Sequence, residues 1–110
     1  MKIDIKETLG FDEFQSNVRH WADARGIYEH STLQAQVLKA VSEMGELADA
    51  AIKGDGAALE DAIGDVVVCL INAAFLAQVD MNECFARAWN EIKDRKGRMV
   101  PGGAFVKEDV

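Results

Sequence analysis

The segment from Lys39 to Asp65, KAVSEMGELADAAIKGDGAALEDAIGD, constrains the fold more than any other part of the chain. It contains two carboxylate pairs at helical spacing, Glu43 with Glu46 and Asp61 with Asp65, on either side of a short glycine-marked turn. Residues three or four apart share one helix face. If the turn folds the second helix back along the first, as short helix connections usually do, the four carboxylates meet. Such oxygen ligands suit a hard divalent cation.

The composition predicts one folded, helix-rich domain over residues 1–110. Apolar residues make up 49% of the chain, which has a single proline, and 110 residues supply one modest core but not two. The formal charge of −7 disfavours nucleic acid and anionic membranes as partners. An acidic protein that handles phosphates needs a cation as intermediary.

We expect a soluble, cytoplasmic protein. The N-terminus MKIDIKETLG lacks the basic and apolar regions of a signal peptide. The most apolar window, Ile63 to Val79, is shorter than the roughly 20 residues that span a bilayer and carries polar residues. Cys69 and Cys84 stand in apolar helical contexts, which indicates reduced core cysteines.

Hydrophobic periodicity predicts four helices, of which the first begins at Phe11 and ends at Gly26. Ser31 opens the second with a capping box, and this helix runs to about Lys53. One stripe of the second helix is apolar and is expected to face the core, with Glu43 well to one side of it. That stripe consists of Leu33, Val37, Val41, Met44, Ala48 and Ala51.

The third predicted helix, from Gly56 to about Gln78, is apolar almost all round and is therefore expected to be buried. It nevertheless carries a polar stripe of Asp61, Asp65 and Asn72. The fourth helix follows a capping residue at position 80 and ends near position 97, after which a small hairpin or a loose tail completes the chain. A polar lead-in occupies about residues 1–10. The pattern predicts an all-α, four-helix bundle-like fold.

Asp65 is the carboxylate that most needs a partner. It lies past the first turn of its helix among apolar residues, where an unpaired carboxylate costs several kcal/mol. By contrast, Glu43 and Glu46 can be a solvated helix face, and Asp61 suits the first turn of a helix. Two means of neutralising Asp65 remain open: a divalent cation held jointly with the other carboxylates, or the basic residues Lys39, Lys93, Arg95 and Arg98.

In the segments KAVSEMGELADAAIKGD and EDAIGDVVVCLINAA, with WADARG upstream and EIKDRKG downstream, the sequence resembles the MazG-like family of all-α nucleoside triphosphate pyrophosphohydrolases. It is most similar to small single-domain members found in phages and prophages. The resemblance implies a house-cleaning hydrolase that uses Mg²⁺, with Mn²⁺ as an alternative. It implies cleavage of a nucleoside triphosphate to monophosphate and pyrophosphate, and a homodimer or homotetramer.

The resemblance also implies roles for individual residues. Glu43, Glu46 and Asp65 become metal ligands and catalytic groups, and Glu46 becomes the candidate base for the attacking water. The family's usual second motif is Glu-x-x-Asp, but this chain has alanine three residues before Asp65. The fourth ligand is then Asp61, which shares the helix face of Asp65, or Glu60, which lies about 140° away from Asp65 on the wheel.

Substrate contacts are expected from both polar and aromatic residues. Lys39 reaches a phosphate or simply pairs with Glu43. Trp21 stacks on a nucleobase or packs in the core, and Asn72 reads a sugar or base edge or bonds to a neighbouring helix. The complete set of substrate-binding candidates is Lys39, Trp21, Arg25, Asn72, Lys93 and Arg95.

Two other interpretations compete with this one. A non-catalytic helical oligomerisation module would neutralise its acidic cluster with Lys and Arg and bind no metal. A narrower enzyme, a dUTPase-like diphosphatase, would keep the same site but restrict the substrate.

Overall fold

The computed structural model describes residues 9–108 and, within them, confirms an all-α fold with one small hairpin. Its elements are α1 (Phe11–Ala24), α2 (Ile27–His30), α3 (Leu33–Lys53), α4 (Gly56–Leu76), α5 (Met81–Ile92), β1 (Gly97–Met99) and β2 (Phe105–Lys107). The chain forms two compact units, Met1–Val79 and Asp80–Val110. Most of the predicted lead-in and the last two residues of the predicted tail lie outside the described residues.

Helix α2 is an element that the sequence did not predict. Gly26, in the left-handed conformation at φ 78°, is its N-cap, and the extended residue Ser31 is its C-cap. The prediction that Ser31 caps the next helix is therefore wrong: Thr32 is the N-cap of α3, and its hydroxyl accepts a hydrogen bond of 3.0 Å from the Ala35 amide. A single helical turn is too short to show a hydrophobic period.

Helices α3 and α4 pack against each other across a two-residue turn, in which Gly54 has a φ of 69°. The face of α3 that meets the protein interior carries Ala40 and Ala50, both buried, with Glu43 between them. These small side chains leave room for a close approach of α4. The prediction for α3 is corrected accordingly, because Val41 is 62% exposed and the whole predicted core stripe apart from Leu33 is exposed.

Helix α4 is buried through its small side chains. Ala62, Cys69 and Ile71 are buried, as are the two alanines that follow Asn72. The larger residues Leu70 and Phe75 are close to half exposed, so the prediction of a helix buried all round is only partly correct. Helix α1 also packs on α4 and buries Gln15 and Ala22.

The second unit consists of α5 and the hairpin. Asp80 caps α5 by accepting a hydrogen bond of 3.1 Å from the Glu83 amide. Strands β1 and β2 pair antiparallel, with Met99 opposite Phe105. The structure thus has the hairpin rather than the loose tail. Cys84 is exposed, which corrects its expected place in the core.

Among the described residues, no single helix is long and apolar enough to cross a membrane. Helices α4 and α5 together have the length and composition of a bent membrane span, on those two criteria alone.

Candidate metal and nucleotide site

The short turn between α3 and α4 brings the two predicted carboxylate pairs into one electrostatic group. Glu43 and Glu46 on α3 are hydrogen-bonded to each other, and so are Asp61 and Asp65 on α4. The negative charge of Asp61 raises the pKa of Glu43, and the negative charge of Glu43 raises the pKa of Asp65. The two pairs therefore influence each other electrostatically across the two helices, through Glu43, Asp61 and Asp65.

Glu43 is a carboxylate that the fold largely encloses. Its side chain is only 13% exposed, and its Oε2 atom is buried without a hydrogen-bond partner. The hydrogen bond with Glu46, followed by burial and the negative charge of Glu46, raises the pKa of Glu43 above its ordinary value. A buried acceptor without a donor is costly, and a cation would relieve that cost.

Asp65 is the corresponding group on α4. Burial is the largest cause that raises the pKa of Asp65, and the charges of Asp61 and Glu43 add to it. Its neighbour one turn later on the same face, Cys69, is buried, and burial together with the charges of Glu43 and Asp65 raises the pKa of that thiol. The negative charge of the carboxylates therefore raises the pKa of a group one helical turn away from them.

Lys39 is the cation nearest to this group on α3. Its Nζ atom lies 3.8 Å from Oε1 of Glu43, and its charge lowers the pKa of both Glu43 and Asp65. The lysine is mostly exposed, so one loosely held cation opposes four carboxylates. The group keeps an excess of negative charge.

The donor set fits a hard divalent ion in its chemistry. Carboxylate oxygens are the ligands that Mg²⁺ and Mn²⁺ prefer, and Glu43 offers an unpartnered buried oxygen. Within residues 9–108, however, no three histidine, cysteine or acidic side chains already converge as a metal site. A bound cation would therefore require these side chains to rearrange.

A cavity of about 270 Å³ opens beside the group, where α3 ends and α4 begins. Glu46 and Asp61 line it, together with Asp49, Lys53 and Asp55. The exposed member of each carboxylate pair therefore borders open space. Glu60, the alternative fourth ligand, is exposed, and it is Asp61 that bonds to Asp65.

Asn72, predicted to contact a nucleotide or a neighbouring helix, does the latter. It is 2% exposed, and its Oδ1 atom accepts a hydrogen bond of 2.8 Å from the Tyr28 hydroxyl. The Tyr28 ring stacks on Phe75, with centroids 3.9 Å apart and planes at 22°. In this conformation no ligand reaches the Asn72 amide.

The remaining substrate-binding candidates lie on two elements. Trp21 and Arg25 are exposed residues at the end of α1, with the Arg25 guanidinium 6.0 Å from the centre of the Trp21 ring. Lys93 caps the C-terminus of α5, and Arg95 lines a cavity of about 410 Å³ with Lys96, Lys107 and three acidic residues. These two cations belong to the second unit.

Comparison with known proteins assigns the family. The sequence model of the MazG nucleotide pyrophosphohydrolase domain matches residues 30–100, more than half of the chain. The chain belongs to the MazG family. The matched range includes α3, α4 and α5, and therefore all four carboxylates.

Two similar proteins come from phages. An uncharacterized 18.2 kDa protein in the rep-hol intergenic region of Haemophilus phage HP1 is 34% identical over 64 residues, which are 58% of this chain and 39% of that protein. The match therefore spans well under half of that relative's length. The cyanophage S-2L MazG-like pyrophosphohydrolase, solved with dGDP and three catalytic Mn²⁺ ions per active site, superposes with a TM-score of 0.69. It is 20% identical over 93% of this chain and 96% of that chain, a likeness that establishes the MazG fold.

Sequence reasoning missed Tyr28 and Phe75. Tyr28 lies in a four-residue helix without a period, and Phe75 resembled one more apolar residue of a core helix. The position of Phe75, three residues after Asn72 on the same helix face, was the available signal.

Proposed function

We propose that this MazG-family chain is a divalent-metal-dependent nucleoside triphosphate pyrophosphohydrolase that releases a nucleoside monophosphate and pyrophosphate. The observation that carries the proposal is the group of four interacting carboxylates on α3 and α4, in which Glu43 has a buried oxygen without a partner. The S-2L structure, with its dGDP and Mn²⁺, supports a nucleotide and a divalent ion for the same fold.

The carboxylates supply the chemistry that such a reaction requires. Glu43, Glu46, Asp61 and Asp65 would hold the ion, which when bound neutralises phosphate charge and lowers the pKa of a coordinated water. Glu46 is exposed beside the cavity and could take a proton from that water as a general base. Lys39 limits repulsion within the group or contacts a phosphate. Mg²⁺ is our first choice of ion and Mn²⁺ the second.

We also propose that the active form is a homodimer or homotetramer. The apolar stripe of α3 is exposed in the single chain, where Val37, Val41 and Met44 are between 45% and 62% exposed. An exposed apolar stripe of this kind on a folded helix marks a surface that another protein surface covers. A second copy of the same stripe is a self-complementary partner.

Pyrophosphate release over a panel of ribonucleoside and deoxynucleoside triphosphates, including dUTP, tests the activity. We expect turnover that requires Mg²⁺ or Mn²⁺ and falls by at least about a hundred-fold in Glu43→Gln and Asp65→Asn. Glu83→Gln, at an exposed carboxylate in the first turn of α5, is the matched control and should retain activity. Undiminished turnover in both site variants would remove the mechanism.

Thermal melting separates this function from a non-catalytic helical module. A specific cation site raises the midpoint in millimolar Mg²⁺ or Mn²⁺ by mass action, and the rise should be absent from Glu43→Gln. The same midpoint with and without metal would favour the interaction module.

A further inference from the structure

Tyr28 contacts both Asn72 and Phe75 on α4. Asn72 is one of two buried polar residues among the described residues, and its carbonyl oxygen is taken by the Tyr28 hydroxyl at 2.8 Å. Phe75 remains 46% exposed, with the Tyr28 ring stacked against it. An amide with an aromatic platform beside it is a combination that binds planar, hydrogen-bonding molecules.

Tyr28 makes the two contacts that a nucleobase would make at this surface. A base recognised here would stack on the Phe75 ring and exchange a hydrogen bond with the Asn72 amide. The Tyr28 ring is already stacked on the first and hydrogen-bonded to the second. While Tyr28 makes these contacts, a base cannot make the same ones.

The distance to the carboxylates suits a nucleotide. Asn72 follows Asp65 by seven residues on the same helix face, which is about 10 Å along the axis of α4. In a nucleotide, the sugar separates the phosphates from the base by a distance of this order. One nucleotide could therefore place its phosphates at the carboxylates and its base at Asn72. Both ends lie on α4, within one compact unit.

The segment that carries Tyr28 is a single turn of helix. Helix α2 has only four residues, and its caps are Gly26 in the left-handed conformation and Ser31 in the extended one. An isolated turn of helix contributes little stability of its own, so its position depends on side-chain contacts. The contacts of Tyr28 with Asn72 and Phe75 provide that anchor on α4.

We propose that Tyr28 is a gate that must leave Asn72 and Phe75 before a nucleobase binds there, so that α2 controls base recognition in the proposed hydrolase. The gate rests on the proposed function, because it assumes a nucleotide whose phosphates lie at the carboxylates. The apparent affinity then equals the intrinsic affinity multiplied by the fraction of molecules in which the gate is open. Opening it transfers the Asn72 amide from the tyrosine to the base.

The test is nucleotide affinity in the absence of turnover. The probes are deoxynucleoside triphosphates of guanine, adenine, cytosine and uracil with a methylene group between the α and β phosphorus atoms, titrated calorimetrically with Mg²⁺. Tyr28→Phe keeps the stacked ring but loses the hydrogen bond that holds the gate. It should bind the preferred probe about five-fold more tightly than the original chain, the effect of one neutral hydrogen bond.

A double-mutant cycle shows whether Tyr28 acts through Asn72. In an Asn72→Ala background the same Tyr28→Phe change should leave affinity unaltered, because no amide remains to be released. Tyr28 is the only tyrosine of the chain, so its ring signals in an NMR spectrum report the gate directly and should shift when the probe binds.

The possible results separate the gate from the hydrolase. Weaker or unchanged binding in Tyr28→Phe, beside measurable binding by the original chain, would overturn the gate alone and leave Tyr28 as a structural support. Absence of binding for every probe in both proteins would overturn the gate and the proposed function together.

Discussion

At the scale of single residues, the site is governed by charge repulsion that one lysine relieves only in part. Glu43 and Asp65 are drawn between the helices, while Glu46 and Asp61 remain exposed beside the cavity. A bound cation would offset this repulsion.

The raised pKa of Glu43 predicts a dependence of stability on pH. A carboxyl with a raised pKa in the folded state binds a proton more tightly there than in the unfolded chain, so the folded state loses stability as the pH rises above the ordinary carboxyl range. Without metal, Glu43→Gln should therefore melt at a higher temperature than the original chain at pH 7. The difference should shrink as the pH falls towards 4.5.

Melting curves in a chelator at several pH values measure this effect. Glu91→Gln, which removes a charge from an exposed position on α5, is the control and should show little difference at any pH. A Glu43→Gln protein that is less stable than the original chain at pH 7 would contradict the electrostatic account.

The fourth ligand provides a second prediction at this scale. Asp61 borders the cavity and raises the pKa of Asp65, whereas Glu60 does not line that cavity. We expect Asp61→Asn to weaken Mg²⁺ binding by at least about ten-fold, since even changes in the outer shell of a metal site have effects of that size. Glu60→Gln should bind the ion normally in the same calorimetric titration. Weaker Mg²⁺ binding in Glu60→Gln than in Asp61→Asn would identify Glu60 as the fourth ligand.

At the scale of elements, the turn between α3 and α4 decides whether the site exists. Gly54 takes the left-handed conformation that few other residues tolerate, and Asp55 then caps α4 by accepting a hydrogen bond of 3.1 Å from the Ala58 amide. Buried alanines on the facing surfaces allow the two helices to approach. The register fixed by this turn sets Glu43 beside Asp65.

Removal of the cap should weaken the pair of helices. Asp55→Ala leaves the first amides of α4 without their acceptor, and we expect a loss of about 1 kcal/mol in the free energy of unfolding, measured by urea denaturation. Asp55→Asn retains a side-chain acceptor and should stay close to the original stability. An equal loss in both variants would indicate that the charge of Asp55, and not its hydrogen bond, is what matters.

At the scale of the whole molecule, the chain leaves an unusual amount of apolar surface uncovered. Large apolar side chains on α1, α3 and α4 are about half exposed or more, and the buried core consists mainly of alanines. A core of small residues permits close helix packing but contributes little buried area per residue. We propose that association of copies supplies the apolar burial that the single chain lacks.

A charge on the α3 stripe should block this association. Light scattering after size-exclusion chromatography should give at least the mass of a dimer for the original chain. Val41→Glu should give a monomer, because burial of an unpaired carboxylate at the interface costs several kcal/mol, a weakening of at least about a hundred-fold. Ser42→Glu adds the same charge on a different face of α3 and should remain associated. A monomeric original chain would contradict the proposal directly.

The sequence by itself determined the all-α class, the approximate bounds of the four longer helices and the family, because these depend on local periodicity, caps and ordered motifs. It also indicated the carboxylates, since spacing along a helix fixes which of them share a face. It could not determine which face of α3 meets α4. The stripe of large apolar residues predicted the core face, but the face with small alanines is the buried one, because small side chains allow closer packing. Nor could it place Tyr28 on Asn72, since a one-turn helix has no period and a contact across 44 positions is decided only when the chain folds.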